Sequence, residues 1–220
     1  MSPNEGQVNP MPKWLLLGLL LLCVEVTLVV ILVTDQVVQA AITTERDLAA
    51  DWLGDRVAAQ VEQQASRGFN RRFVHTGVVA ASYVTLLPDE QVRRRSNVLA
   101  DMGSKDVFPY LEGRLQVWWD TVRQVCWRLT LVQLWLWYLA LPAFAALLDG
   151  LLRRRVKLAE FGNCSPAIHR YSLYGLLALL YLFVLSLLAP WPLSPAVAPV
   201  LMALVILCVN GLLANTPARV

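Results

Sequence analysis

The sequence predicts an all-α, polytopic membrane protein: four transmembrane helices, with a helical extracytoplasmic segment between the first and second. Three observations carry that expectation. Apolar runs at 14–33, 129–148, 173–189 and 197–214 are each about long enough to cross the hydrocarbon core of a bilayer as a helix. Among Asp, Glu, Lys, Arg and His, those four runs hold a single side chain, Glu25. The composition, 57% apolar and 16% charged, is too greasy for an ordinary soluble domain of 220 residues.

Each element follows in order from hydropathy and charge. Residues 1–13 form a polar tail containing Lys13, and the first run, 14–33, reads as a retained anchor. It is longer than the usual core of a signal peptide, although Val38-Gln39-Ala40 before Ala41 offers small-residue positions and leaves cleavage as the alternative. The second run, 129–148, leads into residues 149–172, read as a loop carrying Arg153, Arg154, Arg155, Lys157 and Arg170 against only Asp149 and Glu160. Cationic side chains resist translocation, so this short basic segment is expected in the cytoplasm. The connection 190–196 between the last two runs is uncharged, and the tail 215–220 carries Arg219. One arrangement satisfies all of these: both termini cytoplasmic and residues 34–128 exported, which in a Gram-negative cell means the periplasm. The twelve basic residues of 35–128 are matched by twelve acidic ones, and long loops translocate with little regard to charge.

The exported segment is expected to be helical. Between residues 41 and 65, Ile42, Leu48, Trp52, Leu53, Val57 and Val61 recur at intervals close to a helical period. Gly68 and Asn70 should end that helix. Residues 73–87 are apolar but short, and fit either a buried or an interfacial helix. Asp106 is a candidate N-cap for a further helix with Val107, Leu111, Leu115, Trp118, Val122 and Cys126 on one side, running straight into the second span.

Few residues suggest chemistry. Glu25 is costly in a membrane and needs a partner or a proton; it is either a hydrogen-bonding residue, with Asn210 the candidate neighbour, or part of a proton relay. Trp118 and Trp119 precede the second span as adjacent indoles pointing different ways. Trp118 is expected to pack on the exported helices, Trp119 to meet the membrane or a partner, and both are candidate periplasmic contacts. Arg153, Arg154, Arg155 and Lys157 set orientation and attract anionic lipid, or dock a cytoplasmic protein. The four cysteines have no metal-ligand spacing and read as packing residues. Hydrolase, nucleotide-binding and zinc-protease motifs are absent, and no basic stripe suggests nucleic-acid binding. No catalytic, cofactor or metal site is expected, and the chain is not expected to be an enzyme.

The string Asp149-Gly150-Leu151-Leu152-Arg153-Arg154-Arg155, followed by Phe161-Gly162-Asn163-Cys164-Ser165-Pro166-Ala167, resembles integrating-conjugative-element membrane proteins. The order of anchor, exported segment, aromatic span, basic segment and two closing spans is similar as well. The resemblance implies an inner-membrane accessory or scaffold of a conjugative type IV secretion apparatus. It implies contacts with other conjugation proteins, including the coupling ATPase, besides membrane lipid. From the residues alone, a small proton-coupled transporter or a membrane sensor centred on Glu25 remains the alternative.

Overall fold

The computed structural model describes residues 13–87, 104–159 and 166–216, and among these it contains helices and turns but no strand. Helix α1 spans Lys13–Leu32, and Val33 and Thr34 separate it from α2, Asp35–Leu53. Helix α3, Asp55–Phe69, follows at a single-residue corner, Gly54, whose φ of 80° and ψ of 152° suit glycine alone. The expectation of one helix across 41–65 is therefore corrected: apolar periodicity continues through the corner, but the backbone does not. A π-helical turn, Asn70–Val74, then relaxes the chain at the expected Asn70 break, and left-handed Gly77 opens α4, Val78–Leu86. At nine residues α4 is too short to cross a bilayer, and none of its residues is buried.

Helix α5 runs unbroken over 56 residues, Ser104–Ala159, with Pro109 and Pro142 inside it. At 1.5 Å per residue it is roughly 85 Å long, far more than the ~30 Å hydrocarbon core. The expected fusion of the last exported helix with the second span is thus present. It starts at Ser104, ahead of the expected Asp106 cap, whose side chain lies outside the described residues. Helix α6 spans Pro166–Leu188, with proline at its first position where no amide bond is lost, and α7 spans Val197–Ala214.

Among the described residues three helices, not the four expected, are long and apolar enough to cross a membrane: stretches Phe108–Lys157, Ala167–Leu188 and Val197–Ala214. The difference lies in α1. Its side chains at 13–17, 26 and 28–30 lie outside the described residues, and it is also out of step with the others. The Arg114 guanidinium donates to the Ile31 and Val33 carbonyls at 3.1 and 2.7 Å, whereas α6 ends beside Arg128. Gly18 lies beside Tyr181, fourteen residues from the end of α1 and seven from the end of α6, so α1 ends about 10 Å further out than α6.

Packing centres on α5. In one cluster Ala49 of α2, Val61 and Ala65 of α3 and Trp127 and Leu131 of α5 bury one another, and in a second Val38 and Ile42 meet Val117. Val57, Gln60, Val61 and Gln64 of α3 also lie with Thr130, Gln133, Leu134 and Trp137 of α5 around one surface cavity. Helix α3, turned back by the Gly54 corner, therefore covers one side of nearly the first half of the apolar run at 129–148. Helix α7 fits between α5 and α6 through small residues. A Cβ on Gly150 would lie 3.1 Å from the Asn210 carbonyl oxygen, and one on Gly211 would lie 2.7 Å from Ser172 Oγ.

Candidate functional site

Glu45 and Arg128 form the most constrained polar site. Glu45 follows Val38, Ala41 and Ile42 and precedes Ala49 on the one buried stripe of α2, so the helix carries its carboxylate directly to α5. Its side chain is 3% exposed and that of Arg128 6%. Arg128 Nε and Nη2 donate to the carboxylate at 3.1 and 3.0 Å, while Gln124, one turn earlier, donates to the same carboxylate. The other guanidinium nitrogen, Nη1, donates to the carbonyls of Ser186, Leu187 and Ala189 at 2.7, 3.1 and 2.9 Å, and Nη2 reaches the Trp191 carbonyl at 3.1 Å. These are carbonyls at the end of α6 that no further helical turn would satisfy, and a cation there also meets the negative end of the helix dipole. One arginine thus clasps α2, α5 and the α6–α7 connection. Burial is the largest influence on Glu45 and holds its carboxyl above the ordinary range, against the opposing pull of Arg128 and Gln124.

Sequence reasoning missed this clasp, although a signal existed. Glu45 falls three and four residues from Ile42 and Ala41, on the apolar stripe rather than the solvated face.

The expected pairing of Glu25 with Asn210 is not formed. Glu25 Oε2 is buried without a hydrogen-bond partner. Asn210 Nδ2 donates instead to the Ala146 carbonyl at 2.6 Å and to Asp149 Oδ2 at 3.1 Å, tying α7 to α5 at the opposite end of the bundle from Arg128.

Residues 149–159 and 166–172 are helical rather than part of a loop. Helix α5 continues to Ala159 and α6 resumes at Pro166; residues 160–165, which include Cys164, lie outside the described residues. The basic residues therefore take helical directions. Arg153, Arg154 and Lys157 fall within a 100° arc, and Arg155 points away from it. Arg153 Nε lies 2.9 Å from Asp149 Oδ2, and Lys157 Nζ donates to Asn215 Oδ1 at 2.8 Å beside the end of α7. Arg154 Nε is buried without a hydrogen-bond partner, and Arg155 is exposed. Helical phase, not charge density, decides which of these cations is free.

The two tryptophans exchange their expected places. Trp119 stacks at the edges of Phe69 and Phe73, with ring centroids 6.3 and 5.8 Å away, and its indole N–H donates to Ser82 Oγ at 3.0 Å. Trp118 is 40% exposed. The apolar spacing along α5 pointed to the wrong indole because α3, the π turn and α4 lie over the Trp119 side. Among the described residues, no group of three His, Cys, Asp or Glu side chains is placed to hold a metal ion.

A family model described as IncC plasmid conjugative DNA transfer protein DtrJ-like matches residues 16–216. No curated protein and no solved structure matches. The match runs from α1 to the end of α7 and takes in the clasp, the tryptophans and the basic helix end. The conjugative-transfer resemblance carried by the Asp149–Ala167 string agrees with it, and the chain belongs to the DtrJ-like family of conjugative DNA transfer proteins.

Proposed function

We propose that the protein is a non-catalytic inner-membrane component of a conjugative type IV secretion apparatus, acting as a scaffold through contacts on both faces of the membrane. Its family supports the role in conjugation. The observation that carries the scaffold reading is α5: one continuous 56-residue helix bears Trp118 toward one end and Arg153, Arg154, Arg155 and Lys157 toward the other. Its apolar middle at 129–148 is bracketed by Arg128 and Asp149 and is about 30 Å long, the thickness of the hydrocarbon core, so both ends project. The basic end is cytoplasmic by the rule that cations stay inside, which puts both termini in the cytoplasm and residues 34–128 in the periplasm. The fourth crossing, by α1, belongs to this reading and is supported by its 20-residue length.

On this reading Arg155 and the partly free Arg154 face a cytoplasmic partner, the coupling ATPase being the candidate, while exposed Trp118 faces periplasmic channel proteins. The role needs neither a cofactor nor direct contact with DNA. Replacing Arg154 and Arg155 by Gln tests it, with cysteine accessibility at both termini as the topology control. Transfer should fall while topology is kept; full transfer would remove the docking role from these residues. A second reading, a proton-coupled transporter or a sensor, rests on the buried, unpartnered oxygen of Glu25. Glu25→Gln separates the two: a scaffold tolerates it, whereas proton coupling does not.

A further inference from the structure

Between α5 and α6, with α7 as its floor, lies an apolar cavity of about 520 Å³ lined by residues such as Leu136, Ala140, Ala143, Leu179 and Phe183. The lining offers almost no polar surface. Leu136 and Leu180 on its walls are both 58% exposed, so the cavity opens sideways toward the surrounding bilayer. Along α5 it runs from Val132 to Ala143, eleven residues or about 16 Å.

Both ends narrow. A small, mostly apolar space of about 30 Å³, reached by Glu45, Arg128, Ser186 and Ser194, shares Val132, Phe183 and Leu201 with the cavity and forms its roof. The roof donors of Arg128 are committed to Glu45 and to α6 carbonyls, so they hold no ligand head. Beyond the other end, the glycine contacts at Gly150–Asn210 and Gly211–Ser172 draw the three helices together. Nor does α1 fill the space. Gly18 approaches Tyr181, which sits five residues, or 140° of helical turn, from the cavity residue Leu176 and so on another side of α6.

From these dimensions we infer that the cavity holds one acyl chain of a phospholipid, belonging to the leaflet on the Arg128 side. The depth decides the occupant. The cavity starts four residues and ends fifteen residues below Arg128 along α5, about 6 to 22 Å. A single extended chain entering at the Arg128 level spans that depth by reaching past the midplane, whereas a partner's helix crossing the ~30 Å core would meet the cavity over only about half its length. The carbon lining suits a chain and nothing polar. The headgroup stays outside, at the level of Arg128 and Trp191, and the chain wedges α5 from α6. This inference rests on the membrane-spanning reading above.

The test uses full-length protein in vesicles of phosphatidylethanolamine and phosphatidylglycerol containing a phospholipid with a diazirine midway along one chain. After irradiation, adducts should be several-fold denser at Leu136, Ala140 and Leu179 than at outward-facing Leu141, which is 78% exposed. Ala140→Phe, and the milder Ala143→Leu, should reduce the cavity adducts and leave those at Leu141. Equal labelling of the cavity and Leu141 in the native protein would overturn the inference whatever the variants do. So would a discrete protein adduct from a photoreactive residue at position 136 in cells. Failure of the protein to float with the vesicles would sink the membrane reading itself, whereas flotation with uniform labelling would sink only the acyl chain.

Discussion

Arg128 ties α2, α5 and the α6–α7 connection together through one guanidinium. Removing Glu45 leaves its guanidinium buried with only carbonyl partners, and an uncompensated buried charge costs about 3–5 kcal/mol. Glu45→Ala should therefore lower the unfolding temperature of purified protein sharply, while Glu45→Gln keeps a carbonyl acceptor in place and costs less. The pair also has a pH signature. The folded Glu45 carboxyl holds its proton more tightly than the unfolded one, so its contribution to stability is fully present below the ordinary value of 4.5 and is lost as pH rises through the raised folded value. Glu45→Gln should flatten unfolding temperature against pH across that window; an unchanged profile would show that Glu45 does not titrate as this burial requires. Legibility was lowest for such residues. Glu25 stood out in the sequence because it interrupts an apolar run, but its partner depends on the lateral order of the helices. Glu45 and Arg128 looked ordinary because segments 83 residues apart complete the site.

Among the elements, long apolar runs were legible because a helix crossing lipid must satisfy its own backbone, which leaves a continuous signature. Their ends were not. Nothing in the charge pattern distinguishes a basic loop from a basic helix, and α5 continues through Arg153, Arg154 and Arg155. The Gly54 corner was hidden for a related reason, since the apolar period of α2 carries on into α3. Gly54→Ala has open space around the new methyl group, so its cost is in the backbone alone, about 1–3 kcal/mol. Proteolysis near the corner and the unfolding temperature report it; an unaffected protein would mean that the corner takes another conformation. The α5–α7 contact makes a sharper comparison. Gly150→Ala meets the Asn210 backbone oxygen and Leu213 Cβ, whereas Gly211→Ala meets the movable Ser172 hydroxyl. Overpacking costs about 1–3 kcal/mol where neighbours cannot yield, so Gly150→Ala should be the more damaging of the two, and the reverse order would contradict this packing.

For the whole molecule, the proposed function has a single helix join a periplasmic surface, clasped by Glu45 and Arg128, to a cytoplasmic surface bearing Arg154 and Arg155. Changes in the clasp should then affect both faces, and Glu45→Ala should weaken crosslinking from Trp118 on the periplasmic side. Crosslinking there that survives a demonstrably broken clasp would separate the two faces. The conjugative family was legible from one short string and the order of spans, whereas the arrangement of the exported helices was not, because α2, α3 and α4 take their places only against α5. The account stands first on participation in transfer. The measurement is mating frequency from a donor carrying an in-frame deletion of this chain, beside the same donor complemented with the intact protein. The account expects transfer to collapse in the deletion strain and to return on complementation; transfer at the parental level without the protein would contradict it.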